Sequence, residues 1–534
     1  MFKALTTPHI RVLCLVLLAL LPTALLRDLN PVDEFKYLSI AADALERGNF
    51  FAFYLAGEPY ADKPPLYLWL CMLSYALTTY HGAILLILGS VLPFVVLLYL
   101  LDKFWGVGLD ERQRSGQILT ICAMLLTCGL AIVARMDMLF TLLIGASFIV
   151  LLKRTQLILS APQQNNPAYL NALGLLIFGG IFVKGPYALF FPLVALIFIL
   201  YWRGELKAYF KIVRPRIFLI IILGLLLWGV AVYLDDGSAY LKDLFITQSA
   251  QRLSGKMGHP KPIYWYLTNI WYLALPFALS FIYLLIKDLK AHNFKHDLLL
   301  SGSVSMVLAV ILVISLPSSK LEIYLLPALP FMALYVCRSV SLWHGKVPLS
   351  FRLVQVINYL PYVLVLPAVI YLATQHYTFV QHPAIYLAAA CLSLSALSAI
   401  IMTLRVHLQA GFATVGVGVL SFILCLGFAM ESNINPIIGI HDIALKAIAT
   451  MDKGGTHKAC TVGIAYAENF VLFDKRFEML INTPPTDERC TDAMLLLGNS
   501  ALRHHPEYRE LAMKRGGVEV GDKIFAPAPA AAKP

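Results

Sequence analysis

Acidic and basic side chains recur beside apolar runs in this sequence, and their types suit two kinds of chemistry. Asp33 and Glu34 are adjacent in "NPVDEFKYLSIAADALERGNFF", and Arg135 and Asp137 fall in "ARMDMLF". Carboxylates from two separate loops can take a proton, hold a cation or stabilise positive charge developing at a carbon. The cations lie elsewhere. Lys63 follows Asp62 in "GEPYADKPPLYLWL", and Lys184 sits in "IFVKGPYALFFP". Gln248, Arg252, Lys256, His259 and Lys261 lie in "FITQSAQRLSGKMGHPKPIYWYL"; Lys320, Glu322 and Tyr324 open "KLEIYLLPALP". Cations at a bilayer surface suit a phosphate, because charge-assisted hydrogen bonds to it are strong.

Each feature also has an ordinary explanation. An Asp-Glu pair at a helix start is favoured by the dipole and the free N–H groups there. Lys184 and Lys320 at the heads of apolar runs can snorkel. Arg135 and Asp137 can be a surface ion pair, and a lone His259 is commonly a surface histidine. Only together do these residues outline a site, with carboxylates on one side and cations on the other.

The elements that must bring them together are membrane spans. The 534-residue chain is 59% hydrophobic and 14% charged, far from a soluble domain. The net charge of +11 fits basic cytoplasmic loops. Nucleic-acid binding is excluded, since no basic stripe with interleaved aromatics stands outside the apolar runs. Runs long enough to span fall at 10–26, 83–101, 116–134, 138–152, 168–183, 186–202, 216–233, 269–286, 298–315, 323–337, 354–373, 384–403 and 412–430. About thirteen transmembrane helices are therefore expected. The N-terminal run lacks a small-x-small cleavage site and reads as an uncleaved span.

Loop charges set the orientation. If 65–80 lies in the plane of the outer leaflet rather than spanning, the basic connections 102–114, 153–155, 203–216, 287–297, 337–346 and 405–407 all fall on the cytoplasmic side. The connections 27–82, around 135, 234–268, 316–322 and 374–383 then share the outer face with the charged residues above. Residues 1–431 form the transmembrane domain, with 27–82 as its first outer loop. Residues 432–534 form a small outer α/β domain ending in the low-complexity "APAPAAAKP". There Cys460 and Cys490 can form a disulfide; the other seven cysteines sit in apolar runs. A transporter or flippase would show internal repeats and broken helices at the midplane. Neither is apparent.

The order of segments resembles the integral-membrane GT-C glycosyltransferases, in the branch of the 4-amino-4-deoxy-L-arabinose lipid A transferase and the protein-mannosyltransferase-like enzymes. The stretches that carry it are "DEFKYLSIAADALERGNF", "GEPYADKPPLYLWL", "ARMDMLFT", "VKGPYALFFPL", "AQRLSGKMGHPKPIYWY" and "SSKLEIYLLPALP", up to about residue 340. The resemblance implies a GT-C fold in a bacterial inner membrane, with the site on the periplasmic face. It implies a polyprenyl-phosphate sugar donor, and lipid A or another periplasmic glycan or protein hydroxyl as acceptor. Asp33 maps to the general base or charge-stabilising position, beside Glu34, and Asp137 to the second acidic position. Lys63, Arg252 and Tyr324 map to residues that grip the donor phosphate, and Lys320 is a further cation for it. Asp62 and His259 look like a pair for a divalent metal ion. Three departures stand out: "ITQSAQRL" precedes the arginine where His-Ile-Gln-Arg-Phe is usual, Glu322 replaces a frequent proline, and Asp62 shortens a glutamate.

Overall fold

The computed structural model describes residues 7–55, 57–78, 82–161, 166–243, 260–343, 345–453, 455–464 and 467–529. Among these, ten helices are long and apolar enough to cross a membrane, or eleven if one bent pair is a single span. They are Pro8–Leu26, Ala83–Trp105, Asp137–Ser160, Pro167–Lys184, Pro215–Lys242, Leu298–Ser315, Glu322–Ser341, Leu349–Thr374, Pro383–Leu404 and Leu408–Gly427. Helix Pro215–Lys242 exposes Leu219, Ile222, Leu223, Leu226, Leu227 and Val230, a face that suits hydrocarbon. In helix Glu322–Ser341, by contrast, every residue from Leu325 to Val336 is buried. It is the centre of the bundle.

The expected thirteen spans are corrected at three places. Run 116–134 is two short helices, Glu111–Cys122 and Leu125–Leu130. The Tyr362 hydroxyl enters the break, accepting from the Leu125 N–H at 3.1 Å and facing the Ala123 carbonyl at 3.0 Å. Backbone groups freed by a broken helix need such partners where water is absent. Run 269–286 is the bent pair Trp265–Leu273 and Ala278–Lys290, turned by 114°. Pro276 lies in the bend and cannot donate the helical hydrogen bond; Gln355 donates to its carbonyl at 3.0 Å. Run 186–202 is a helix of 17 residues, Tyr187–Arg203, about 26 Å long. Hydropathy counts composition along a run, and these three limits are ones of continuity and length.

Run 65–80 forms the 14-residue helix Pro65–Thr78. At about 21 Å it is shorter than a bilayer core of about 30 Å. It packs against helix Lys36–Arg47, which Gly48 terminates in the left-handed conformation, φ 76°. A two-stranded hairpin, β1 (Tyr54–Leu55) with β2 (Glu58–Pro59), lies between them.

The C-terminal part holds a mixed sheet of β3 (Lys458–Val462), β4 (Glu478–Ile481), β5 (Met494–Leu497), β6 (Val518–Val520) and β7 (Lys523–Ala526), in the order β4-β3-β5-β7-β6. Strand β3 is parallel to β4 and β5, and β7 is antiparallel to β5 and β6. All four residues of β5 are buried, as its apolar sequence dictates for an interior strand. Cys460 and Cys490 are joined by a disulfide, Cα atoms 5.8 Å apart. This part rests on the first loop. Phe473 stacks on Phe35 with ring centroids 5.2 Å apart. Asp28, at the end of helix Pro8–Leu26, accepts the His441 N–H at 3.2 Å.

Candidate active site

The first loop is pinned to the end of helix Pro215–Lys242. Asp235 accepts the N–H groups of Phe51 and Ala52, each at 2.8 Å. Tyr54 donates to Asp236 at 2.5 Å, and Tyr240 donates to the Tyr60 carbonyl at 3.0 Å. Trp69 donates to the Phe50 carbonyl at 2.7 Å. These bonds fix the chain that leads into "YADKPP". There the Tyr60 phenol, pushed up by burial and by Tyr37 and Asp62, stays protonated and donates to Asp62 at 3.3 Å. Asp62 also pairs with Lys63 at 2.8 Å. Pro65 starts the next helix, where its missing N–H costs nothing.

Asp137 is the first residue of helix Asp137–Ser160 and is buried. Its turn is held from two sides. The Ala134 N–H donates to Glu34 at 2.5 Å, and the Ser90 hydroxyl donates to the Val133 carbonyl at 2.5 Å. Ser90 lies in a π-helical turn, Ile87–Val91, a local widening that often marks a site. One oxygen of Asp137 pairs with Lys184 and the other with Arg135 at 3.3 Å. Lys184 ends its helix because Gly185 takes φ 97°, which only glycine adopts readily. The Lys184 ammonium lies 4.7 Å from the centre of the Tyr324 ring, a cation–π distance. Tyr187 tilts against Tyr324 at 6.4 Å. Lys63 stands within electrostatic reach of Lys184. Among the described residues, three cations, Lys63, Arg135 and Lys184, therefore face two carboxylates, Asp62 and Asp137.

No family model matches the chain, and no curated protein matches it. Solved structures do. The crystal structure of ArnT from Cupriavidus metallidurans bound to undecaprenyl phosphate aligns with a TM-score of 0.71 at 14% identity, covering 98% of this chain and 99% of that one. The apo structure of the same protein aligns equally, over 98% of each chain. The chain has the GT-C fold of ArnT. The expected polytopic helical fold with a small C-terminal mixed sheet is met, with ten or eleven candidate spans among the described residues in place of about thirteen, and at this identity the likeness speaks for fold alone.

Within this GT-C fold, the sequence-predicted residues separate. Asp137 and Tyr324 share a crevice with Lys184, Phe140 and Tyr187, and Lys63 acts electrostatically on Lys184. Glu34, expected as a catalytic partner of Asp33, has both oxygens engaged. It takes two bonds from Arg27 at 2.7 Å, plus the N–H groups of Asn30 at 2.8 Å and Ala134. The geometry gives it an anchoring role. Lys320, expected as a phosphate contact, is 2% exposed. Its ammonium donates to the Pro317 carbonyl and, at 3.4 Å, to that of Lys261. It joins two loops. The backbone of Asp33 lies in the turn Pro31–Phe35, and its side chain is outside what is described. Arg252 and His259 also lie outside the described residues.

Of the two residues implied for a divalent metal, Asp62 and His259, only Asp62 is among the described residues. Asp62 is paired with Lys63. Among the described residues, no group of three or more His, Cys, Asp or Glu side chains comes together to hold a metal. Lys184 is visible in the sequence as a turn residue inside "VKGP", where nothing marks it as a partner of Asp137. Its pairing with Asp137 spans 47 positions, and no local signal encodes that.

Proposed function

We propose that this chain is a glycosyltransferase that takes a sugar from a polyprenyl-phosphate donor at the outer face of a bacterial inner membrane. The observation that carries this is the cationic excess around Asp137 within an ArnT-like fold. Three ammonium or guanidinium groups against two carboxylates favour a bound phosphate. The undecaprenyl phosphate seen with the Cupriavidus metallidurans protein supports a lipid phosphate as that anion.

In this reading Lys63 and Arg252 neutralise the donor phosphate and the Tyr324 hydroxyl orients it. The acceptor oxygen forms a bond to the anomeric carbon. The carbon–oxygen bond to phosphate breaks, and the electron pair leaves with the polyprenyl phosphate. A phosphate acceptor, as on lipid A, is already nucleophilic, so Asp33 orients it and offsets positive charge on the sugar. A hydroxyl acceptor passes its proton to Asp33. Asp137 holds Lys184 and Arg135 in place, so that these cations are preorganised rather than solvated. A metal at Asp62 and His259 is no part of this reading.

The narrow form is transfer of 4-amino-4-deoxy-L-arabinose to lipid A; the wider form is another sugar, or another lipopolysaccharide or protein acceptor. Mass spectrometry of lipid A from cells with and without the gene separates them. A pentosamine mass present only with the gene supports the narrow form. Unchanged lipid A excludes it, and turnover of a polyprenyl-phosphate sugar by the purified protein then tests the wider one.

A further inference from the structure

A second polar cavity lies at the opposite end of the bundle. Helices Glu111–Cys122, Leu329–Ser341 and Leu408–Gly427 enclose about 670 Å³ there. Helix Glu322–Ser341 runs from the Tyr324 crevice to this cavity over 20 residues, roughly 30 Å. The two sites are therefore separate.

The wall is built for an anion. Its polar members include Arg112, Gln113, Gln117 and His407, and among the described residues no carboxylate lines it. Gln117 is only 6% exposed, and its amide nitrogen has no hydrogen-bond partner. A buried, unpaired amide is costly. The N-terminus of helix Leu408–Gly427 also opens here, with Leu408, Gln409 and Ala410 on the wall. Its N-cap residue, His407, supplies no side-chain cap. The first turn bond runs from the Gly411 N–H to the His407 carbonyl at 3.0 Å. The three preceding N–H groups thus remain for a ligand, where the helix dipole favours negative charge. Neighbouring acids are engaged elsewhere. Asp110 accepts from the Gln113 N–H at 2.8 Å, and Glu111 pairs with His9 at 2.5 Å and with Arg114. Arg112 has no ion-pair partner among the described residues.

We propose that this cavity binds the phosphate headgroup of an anionic phospholipid. The volume exceeds a bare phosphate by several-fold. Val340, Val347 and Ala413 give the wall an apolar part, and Leu404 and Val417 are exposed on the flanking helices, a path for acyl chains. The adjoining turns also carry Lys346 and Arg405, basic residues at the end expected to face anionic cytoplasmic lipid. The headgroup phosphate accepts from the N–H groups of residues 408–410 and from Gln117, with Arg112 closing over it.

The test uses the full-length protein, purified and delipidated in detergent, and does not depend on donor turnover. Phosphatidylglycerol, phosphatidylcholine and inorganic phosphate are titrated separately, read by thermal unfolding and by lipid retention in native mass spectrometry. Phosphatidylglycerol should stay bound and raise the midpoint, and the other two should not. The exposed substitution Arg112→Glu should cut phosphatidylglycerol retention about tenfold, and Gln409→Glu should act in the same direction at the helix end. Equal retention by both variants and the wild type overturns the proposal. So does equal protection by phosphatidylcholine, or by inorganic phosphate alone.

Discussion

Glu34 accepts the Ala134 N–H at 2.5 Å, across a separation of 100 residues. Together with its two bonds from Arg27, this ties the first loop to the turn that presents Asp137. Glu34, read in the sequence as a catalytic candidate, is a strut between the first loop and the Asp137 turn.

Breaking that strut should be expensive. Glu34→Gln leaves Arg27 without its counter-charge, and loss of one partner of a buried pair costs about 3–5 kcal/mol. The thermal midpoint should fall, and turnover with it, because the Asp137 turn loosens. The double variant Arg27→Met, Glu34→Gln should lose less than the sum of the singles. Additive losses would contradict the pairing.

Lys184→Met should remove one of the two cations on Asp137. An electrostatic contact of this kind is worth about 10²–10³ in rate, so kcat should fall by about that much while the protein remains folded. Lys184→Arg should recover part of it. Single-turnover kinetics with a polyprenyl-phosphate sugar is the measurement, and an unchanged kcat in Lys184→Met removes the residue from the site.

Lys63→Ala tests the phosphate contact. Lys63 is partly exposed and its bond to Asp62 is at the surface of the site, so stability should barely move. Donor binding or turnover should drop about 100-fold, and Lys63→Arg should retain more than Lys63→Ala. An alanine variant with full activity refutes the assignment.

The clamp on the first loop should be sensitive to alkali. Burial first, and then the hydrogen bond to Asp236, push the Tyr54 phenol up to about 12, against an ordinary value near 10. Between these values the folded chain holds a proton that the unfolded chain releases. Stability from this contact is therefore complete below pH ~10 and is lost as the pH rises towards ~12. Comparing the midpoints of wild type and Tyr54→Phe across that window checks it; the variant should show the shallower fall.

The disulfide closes a loop with a separation of 30 residues. Its removal should cost the C-terminal part about 3–4 kcal/mol on the chain-entropy argument. Because Phe473 stacks on Phe35, loosening should reach the first loop. The variant Cys460→Ser, Cys490→Ser should be cut faster by protease beyond residue 440. An unchanged cleavage rate would show that the sheet holds without the bond.

Much was written in the sequence because it is local. Apolar runs fixed nearly every helix, and the two prolines of "ADKPP" placed the start of the short helix at Pro65. Cys460 and Cys490 stood out by lying beyond the last apolar run. The order of loop charges collected Lys63, Asp137 and Tyr324 on one face. Composition alone reaches this far, since burial in hydrocarbon depends on how apolar a segment is and how long.

The tertiary structure decided what composition cannot. Tyr362 interrupts the 116–134 run from a helix more than two hundred residues away. Lys184 rather than Lys320 meets the buried carboxylate of Asp137, and Glu34 takes the backbone amide of Ala134 from 100 positions away. Two lysines at the heads of apolar runs look alike in sequence. Which one finds a carboxylate and which one finds carbonyl oxygens depends on helix packing over long separations, and that geometry has no counterpart in local sequence.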